Sequence, residues 1–162
     1  MAPLSETQSR FIALHRHWVT AGSIDHHLRR SLSRKESFPS GVPKPVAEGA
    51  IATSGFAALS VWYSLLYVVI EGYLEIGYHD AEVDALLSNE DYVSLLRRFR
   101  NATFHYQEDP LSPKLLEFLE AENSSEWIHN LNRGLGKFFT SEVMRFPGLK
   151  PLVEPFLQHK SC

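Results

Sequence analysis

From Gly49 to Ile70 the chain runs 22 residues without a charged side chain. No other feature restricts the fold as much. A stretch of that length and polarity has two ways out of water: it crosses a bilayer, or other helices cover it. Against the bilayer stand Thr53, Ser54, Ser60, Ser64, Trp62, Tyr63 and Tyr67, with the tyrosines near the middle of the apolar part rather than at its ends. Other segments carry apolar stripes at helical spacing that themselves need a partner. The expectation is the buried central helix of a soluble bundle, with no membrane.

Helix signals recur along the rest of the chain and strand signals do not. Ser5-Glu-Thr-Gln8 reads as a capping box. It opens a first helix that runs to about Leu32, with Phe11, Leu14, Trp18, Ala21 and Leu28 on or near one face and Gly22 as a weak point. Pro39, Gly41, Pro43 and Pro45 mark a loop over 33–45, and Pro45 suits the first turn of the central helix. Gly77 ends that helix at about Ile76. Asp80 caps a short helix to Leu87. Ser88 or Asn89 opens another from about Glu90 to Tyr106. Ser112-Pro113 starts a short one to Glu120 after the break at Pro110. Asn123-x-x-Glu126 opens the last long helix, Ser124 to Phe146, and Pro147-Gly148 stops it. The result is an all-α bundle of four to five helices with one or two short extra ones. The 162 residues suit one helical domain. Its parts are the first helix over 1–32, the loop over 33–45, the bundle core over 46–146 and an irregular tail over 147–162.

With 44% hydrophobic residues the chain can bury a core, so wholesale disorder is excluded. The one cysteine, Cys162, excludes a disulfide framework and a thiolate zinc site. That cysteine usage and the lack of a secretory signal lead to the expectation of a cytoplasmic protein. The net charge of −3 argues against a surface coated in basic residues for DNA. The charge is uneven, however. Residues 1–47 carry seven basic and three acidic side chains, residues 48–91 none and eight, and residues 92–162 nine and eight. A polyanion is therefore confined to selected faces.

The segment from Tyr92 to Tyr106, YVSLLRRFRNATFHY, carries the most chemistry. On a helical wheel Tyr92, Leu95, Leu96, Ala102, Thr103 and Tyr106 fall within roughly 60° of Phe99 and form the core face. Arg97, Asn101 and His105 fall opposite, one stripe at i, i+4 and i+8, joined by Ser94 and Arg98. Arg100 sits at the edge between the two faces, beside Phe104. A solvated polar face is the plain reading of that arc. The chemical reading is sharper. Arginine presents a planar fork of donors to phosphate, histidine moves a proton near neutral pH, and asparagine orients either without adding charge. Those are the parts of a metal-free ribonuclease. A base takes the 2′-hydroxyl proton, an acid protonates the leaving 5′-oxygen, and a cation holds the charge on phosphorus. One helix supplies one histidine, and a twofold axis would supply the second.

The segment Leu95-Leu-Arg-Arg-Phe-Arg-Asn-Ala-Thr-Phe-His-Tyr106 resembles the HEPN superfamily of small helical bundles. The family signature is an arginine, four to six residues, then a histidine, often with a polar residue after the arginine. Here it reads Arg100, Asn101, His105. The decoy Arg10 and His15 repeats the spacing, and the Asn after Arg100 within an all-α chain is what makes the second match more specific. A variant of the signature has a tyrosine two residues after the histidine. Gln107 stands there, so no role tied to that tyrosine is carried over. The resemblance implies a metal-independent endoribonuclease acting as a C2 homodimer, without cofactor. Such proteins occur in toxin–antitoxin and phage-defence systems, where an antitoxin protein would be the cognate partner. It implies Arg100, Asn101 and His105 as catalytic residues and Arg97 and Arg98 as contacts to RNA or a nucleotide. The alternative within the same resemblance is a non-catalytic module that binds a nucleotide or a protein partner.

Other constellations weigh less. Glu126-x-x-His129 is half of a di-iron bundle signature, to which Glu71 and Glu75 could contribute, but the chain has no second Glu-x-x-His. A polar patch is the favoured reading, and no metal is expected. His15, His17, His26 and His27 read as a polar face of the first helix. Arg29, Arg30, Arg34 and Lys35 suit the negative end of its dipole. Trp127, Phe138 and Phe139 read as core. Gly134 and Gly136 do not form a phosphate loop.

Overall fold

A computed structural model of the protein describes residues 5–33, 38–109 and 112–145. Among these residues it is all-α, with six helices and no strand: α1 (Glu6–Ser33), α2 (Lys44–Ile76), α3 (Ala81–Leu87), α4 (Glu90–Phe104), α5 (Pro113–Glu120) and α6 (Ser124–Arg145). The capping box forms as read, with Ser5 N–H donating to Gln8 Oε1 at 2.9 Å and Gln8 N–H to Ser5 Oγ at 3.2 Å. Gly22 does not interrupt α1. Gly77 ends α2 in the left-handed region at φ 76°, where a side chain would be strained. Asp80 accepts from the N–H groups of Glu82 and Val83, and Asn89 from that of Tyr92. The expected tail, the Pro147-Gly148 stop, Pro110, and Arg34 and Lys35 lie outside the described residues.

α1 and α2 form an antiparallel pair. Leu28 and Leu32 of α1 lie beside Gly55, and Leu14 lies beside Gly72. A Cβ on Gly72 would stand 2.5 Å from Leu14 Cδ1, so glycine permits this close approach. The remaining helices cover the C-terminal half of α2. There Trp62, Tyr63, Leu66, Tyr67, Val69, Ile70 and Tyr73 are buried. Tyr63 packs against Phe99 of α4 and Phe118 of α5, and Tyr73 against Phe138 of α6. Phe11 of α1 meets Phe139 of α6 edge-on. Each such side chain contributes roughly 1.5–3 kcal/mol of burial. The mid-helix tyrosines that argued against a bilayer are thus core residues.

The expectation of a buried central helix holds only for that half. Val46, Ala52 and Ala57 in the first half are exposed. By length and composition α2 alone among the described helices could cross a membrane, and 44% of its most apolar stretch is buried against the chain itself.

Three readings change. α4 stops at Phe104, not Tyr106, and Tyr106 is 89% exposed rather than core. The cause is local. Gln107 Nε2 donates to the carbonyls of both His105 and Tyr106 at 3.0 Å, and Pro110, which has no N–H, could not have served the Tyr106 carbonyl in a longer helix. His15 is 1% exposed, stacked with Phe11 and against Trp18 and Phe139, and not on a polar face. It follows Phe11 by four residues and precedes Trp18 by three, so the helical period puts it in the apolar stripe.

Tyr73 locks the turn from α2 into α3. Its hydroxyl donates to Asp84 Oδ1 at 2.8 Å and accepts from Asp80 N–H at 2.6 Å. The hydroxyl's pKa is raised, first by burial and then by that bond to Asp84. The same bond holds the Asp84 carboxyl below its ordinary range. A carboxyl depressed in the folded state adds stability above its unfolded pKa, and that share is lost as pH falls through the folded pKa. Tyr73→Phe should cost about 1–3 kcal/mol in urea unfolding, because Asp80 N–H loses its acceptor. It should also move the Asp84 titration, followed by NMR, back toward the ordinary carboxylate range. An unmoved Asp84 titration would contradict the lock.

Candidate functional site at the end of helix α4

The amphipathic period of α4 buries Leu96, Phe99 and Ala102 and leaves Arg97, Arg98 and Asn101 outward. Arg100, one position after the buried Phe99, leans toward α2. Its Nη2 donates to Glu71 Oε1 at 2.5 Å and its Nη1 to Asn101 Oδ1 at 3.0 Å. Its guanidinium carbon lies 5.0 Å from the centre of the Tyr67 ring, a cation–π arrangement. The Nε is buried without a hydrogen-bond partner among the described residues, and the ring face lies on that side chain instead. The ion pair is partly wet, with side-chain exposures of 24% for Arg100 and 45% for Glu71.

Tyr67 stands at the centre of this group. Burial raises the pKa of its hydroxyl, the Glu71 carboxylate raises it further, and Arg97 and Arg100 pull the other way. The Arg100 guanidinium and the Glu71 carboxylate paired with it thus sit beside one buried phenol. The sequence places Glu71 only in a metal alternative and Tyr67 only among the residues that argue against a bilayer. The missed signal was available: Tyr67 and Glu71 are four residues apart, so they share a face of α2. Which arginine that face meets is decided by α4 packing across α2, a contact that spans 29 positions.

The other expected residues fall in different settings. Arg98 Nη2 is paired with Glu117 Oε2 of α5 at 2.6 Å, on the side of α4 that faces α5. Arg97 is exposed and has no ion pair among the described residues. His105 is exposed and is not the third member of a helical stripe. It caps α4 in extended backbone, φ −113° and ψ 143°, with its N–H donating to the Asn101 carbonyl at 3.0 Å. The imidazole is thereby carried on the first non-helical residue after α4.

The half signature on α6 has another role. Among the described residues no group of three or more His, Cys, Asp or Glu is placed to hold a metal ion. Glu126 is exposed. The His129 ring lies tilted against Trp62, 5.1 Å between ring centres, and its Nδ1 lies 3.3 Å from Arg29 Nη2. Arg29 is itself clamped by Asp25 at 2.9 Å. Compared with protein-family models, curated proteins and solved structures, the chain matches none.

Desolvation, and then the charge of Arg29, hold the His129 imidazole below its ordinary pKa, with Asp25 opposing them. The unfolded chain binds that proton more tightly, so this group withdraws stability as pH falls below the ordinary imidazole range. Arg29→Gln should raise the His129 pKa in an NMR titration and shallow the loss of stability between neutral pH and pH ~5. A lowered or unchanged pKa would show that Arg29 does not act on His129.

Proposed function

We propose that the chain is a HEPN-like, metal-independent endoribonuclease that works as a C2 homodimer, with Arg100, Asn101 and His105 as its catalytic residues. The observation that carries this reading is the preset Arg100. Glu71, Asn101 and Tyr67 fix the guanidinium at the edge of α4, next to an asparagine and one turn from an exposed histidine. A guanidinium has five N–H donors. One goes to Glu71, one to Asn101, and the Nε–H is buried; one hydrogen on each Nη remains for a phosphate. Fixing the fork beforehand removes part of the ordering cost of binding an anion.

In this reading His105 of one protomer takes the proton from the ribose 2′-hydroxyl. The 2′-oxygen then forms its bond to phosphorus, and the bond from phosphorus to the 5′-oxygen breaks. The second protomer's His105 gives its proton to that leaving oxygen. The products are a 2′,3′-cyclic phosphate and a 5′-hydroxyl. Arg100 bears the charge that grows on the non-bridging oxygens. Arg97, exposed and without an ion pair among the described residues, meets a neighbouring phosphate, whereas Arg98 must leave Glu117 to do so. Toxin–antitoxin or phage-defence context and an antitoxin partner belong to the same proposal.

The Arg100–Glu71 pair also favours a second reading, a non-catalytic module. If the Glu71 carboxylate offsets the charge of Arg100, the exposed Arg97, Asn101 and His105 bind a nucleotide or a protein partner without chemistry. An RNA cleavage assay with EDTA present separates the two. The parent chain should cut RNA and leave cyclic phosphate ends, and His105→Ala should abolish cutting. Because His105 is exposed, the same substitution should change unfolding stability by no more than about 0.5 kcal/mol. Binding without cleavage by a folded dimer would select the module, and equal cleavage by the variant would remove His105 from the mechanism.

A further inference from the structure

A groove runs between α1 and α2 beside the motif. Arg10, Ala13 and His17 line it from α1, and Val68, Glu71 and Glu75 from α2. Its volume is about 300 Å³, at the small end of the range for ligand sites. Its floor lies where Leu14 meets Gly72. Glu71 belongs both to this groove and to the Arg100 pair, so the groove opens directly from the proposed phosphate site. Glu75, one turn further along α2 and roughly 6 Å away, is exposed and its carboxylate has no partner among the described residues. Arg10, the arginine of the decoy motif, is held among the described residues only by Glu6 at 3.4 Å, and that pair is solvent-exposed and weak.

We propose that this groove is the base-binding subsite for the nucleotide next to the phosphodiester at Arg100, with Glu75 selecting guanine. The proposal rests on the RNA reading of the motif and deepens it. A carboxylate accepts two hydrogen bonds side by side. Guanine offers two adjacent donors on one edge, N1–H and the N2 amine. Adenine and cytosine set a ring acceptor beside the amine, and uracil flanks its one N–H with two carbonyls, so both arrangements repel a carboxylate. Val68 and Leu14 supply an apolar surface for the ring, and the His17 imidazole can stack on it, as is common for unpaired bases. Arg10 sits at the α1 wall, where it meets the next phosphate. Glu71 cannot do the work of Glu75, because its charge is already committed to Arg100.

The test measures cleavage of short RNAs that differ in the base flanking one phosphodiester, together with the binding of GMP and UMP, on the full chain. The parent should favour guanine over uracil by tenfold or more, the size of one good bidentate contact. Glu75→Gln should lower that ratio about tenfold and weaken GMP, with UMP little changed. Ala13→Trp, which fills the groove from its exposed wall and keeps every charge, should weaken both nucleotides. If the parent cuts RNA with no base preference, or Glu75→Gln keeps both the parent ratio and the GMP affinity, the subsite is wrong while the nuclease stands. If the parent cuts no RNA, binding decides alone. GMP favoured over UMP and lost in Glu75→Gln would uphold the subsite without the nuclease, and no preference would overturn it.

Discussion

Everything in this molecule is arranged around one constraint, the covering of α2 from Ser60 to Tyr73. Between Ser60 and Ile70 the helix carries no charge, and no residue there is exposed. α1, α4, α5 and α6 must therefore approach it from several sides, and they do so largely with rings. Tyr63 meets α4 and α5, Trp62 meets His129 of α6, and Tyr73 meets α6. Large aromatic side chains give much contact area with few rotatable bonds, so the burial they gain is opposed by little lost side-chain entropy. Two of these rings keep a polar task. The Tyr73 hydroxyl closes the turn to α3, and the Tyr67 ring lies against the guanidinium of Arg100. Glu71 is the first charged side chain after the apolar run. It emerges at the edge of the covered zone, where a cation from the covering helix can meet it.

The acidic middle third of the sequence looks hostile to a polyanion until its partners are placed. Glu71 faces Arg100, Glu82 holds Lys137 at 2.7 Å, and Glu48 reaches Lys44 at 3.5 Å. Asp80 and Asp84 are occupied by helix N–H groups and by Tyr73. Most of these carboxylates therefore act at short range. Exposed pairs of this kind contribute about 0–1 kcal/mol each to stability. Their greater effect is on the field, since a neutralised carboxylate repels a phosphate much less than a free one. Glu75 has no such partner among the described residues, which is why its location decides what kind of group can enter the neighbouring groove.

Element boundaries were legible wherever one residue type has one local job. The Ser5 box, Pro45, Gly77, Asp80, Asn89 and Ser112-Pro113 mark helix ends in the structure within about two residues. The miss at Tyr106 came from the helix end, which a helical wheel does not contain: His105 is already extended, and Pro110 has no N–H to return to the Tyr106 carbonyl. The miss at His15 came from letting residue type outrank position, for its place between Phe11 and Trp18 already assigned it to the core face. The motif itself was readable as residues. Its surroundings were not, because Glu71 and Tyr67 reach Arg100 only through the packing of α4 on α2. A pairing 29 positions apart has no local period to betray it.

That long-range pairing bears on how Arg100 can act. An ion pair one-quarter exposed on one side and nearly half exposed on the other is screened by water. Its net strength is modest, and its geometric effect is the larger one. With Glu71 and Asn101 each holding one Nη, the guanidinium plane has little freedom to turn, and the Tyr67 ring blocks it from behind. An arginine held this way presents its remaining hydrogens in a fixed direction, which a free surface arginine does only at the cost of its side-chain entropy. A phosphate oxygen approaching those hydrogens need not displace Glu71. The carboxylate then keeps the fork in place while two negative groups share one cation. The pair is thus compatible with anion binding, and it ties the orientation of the motif arginine to the packing of the central helix.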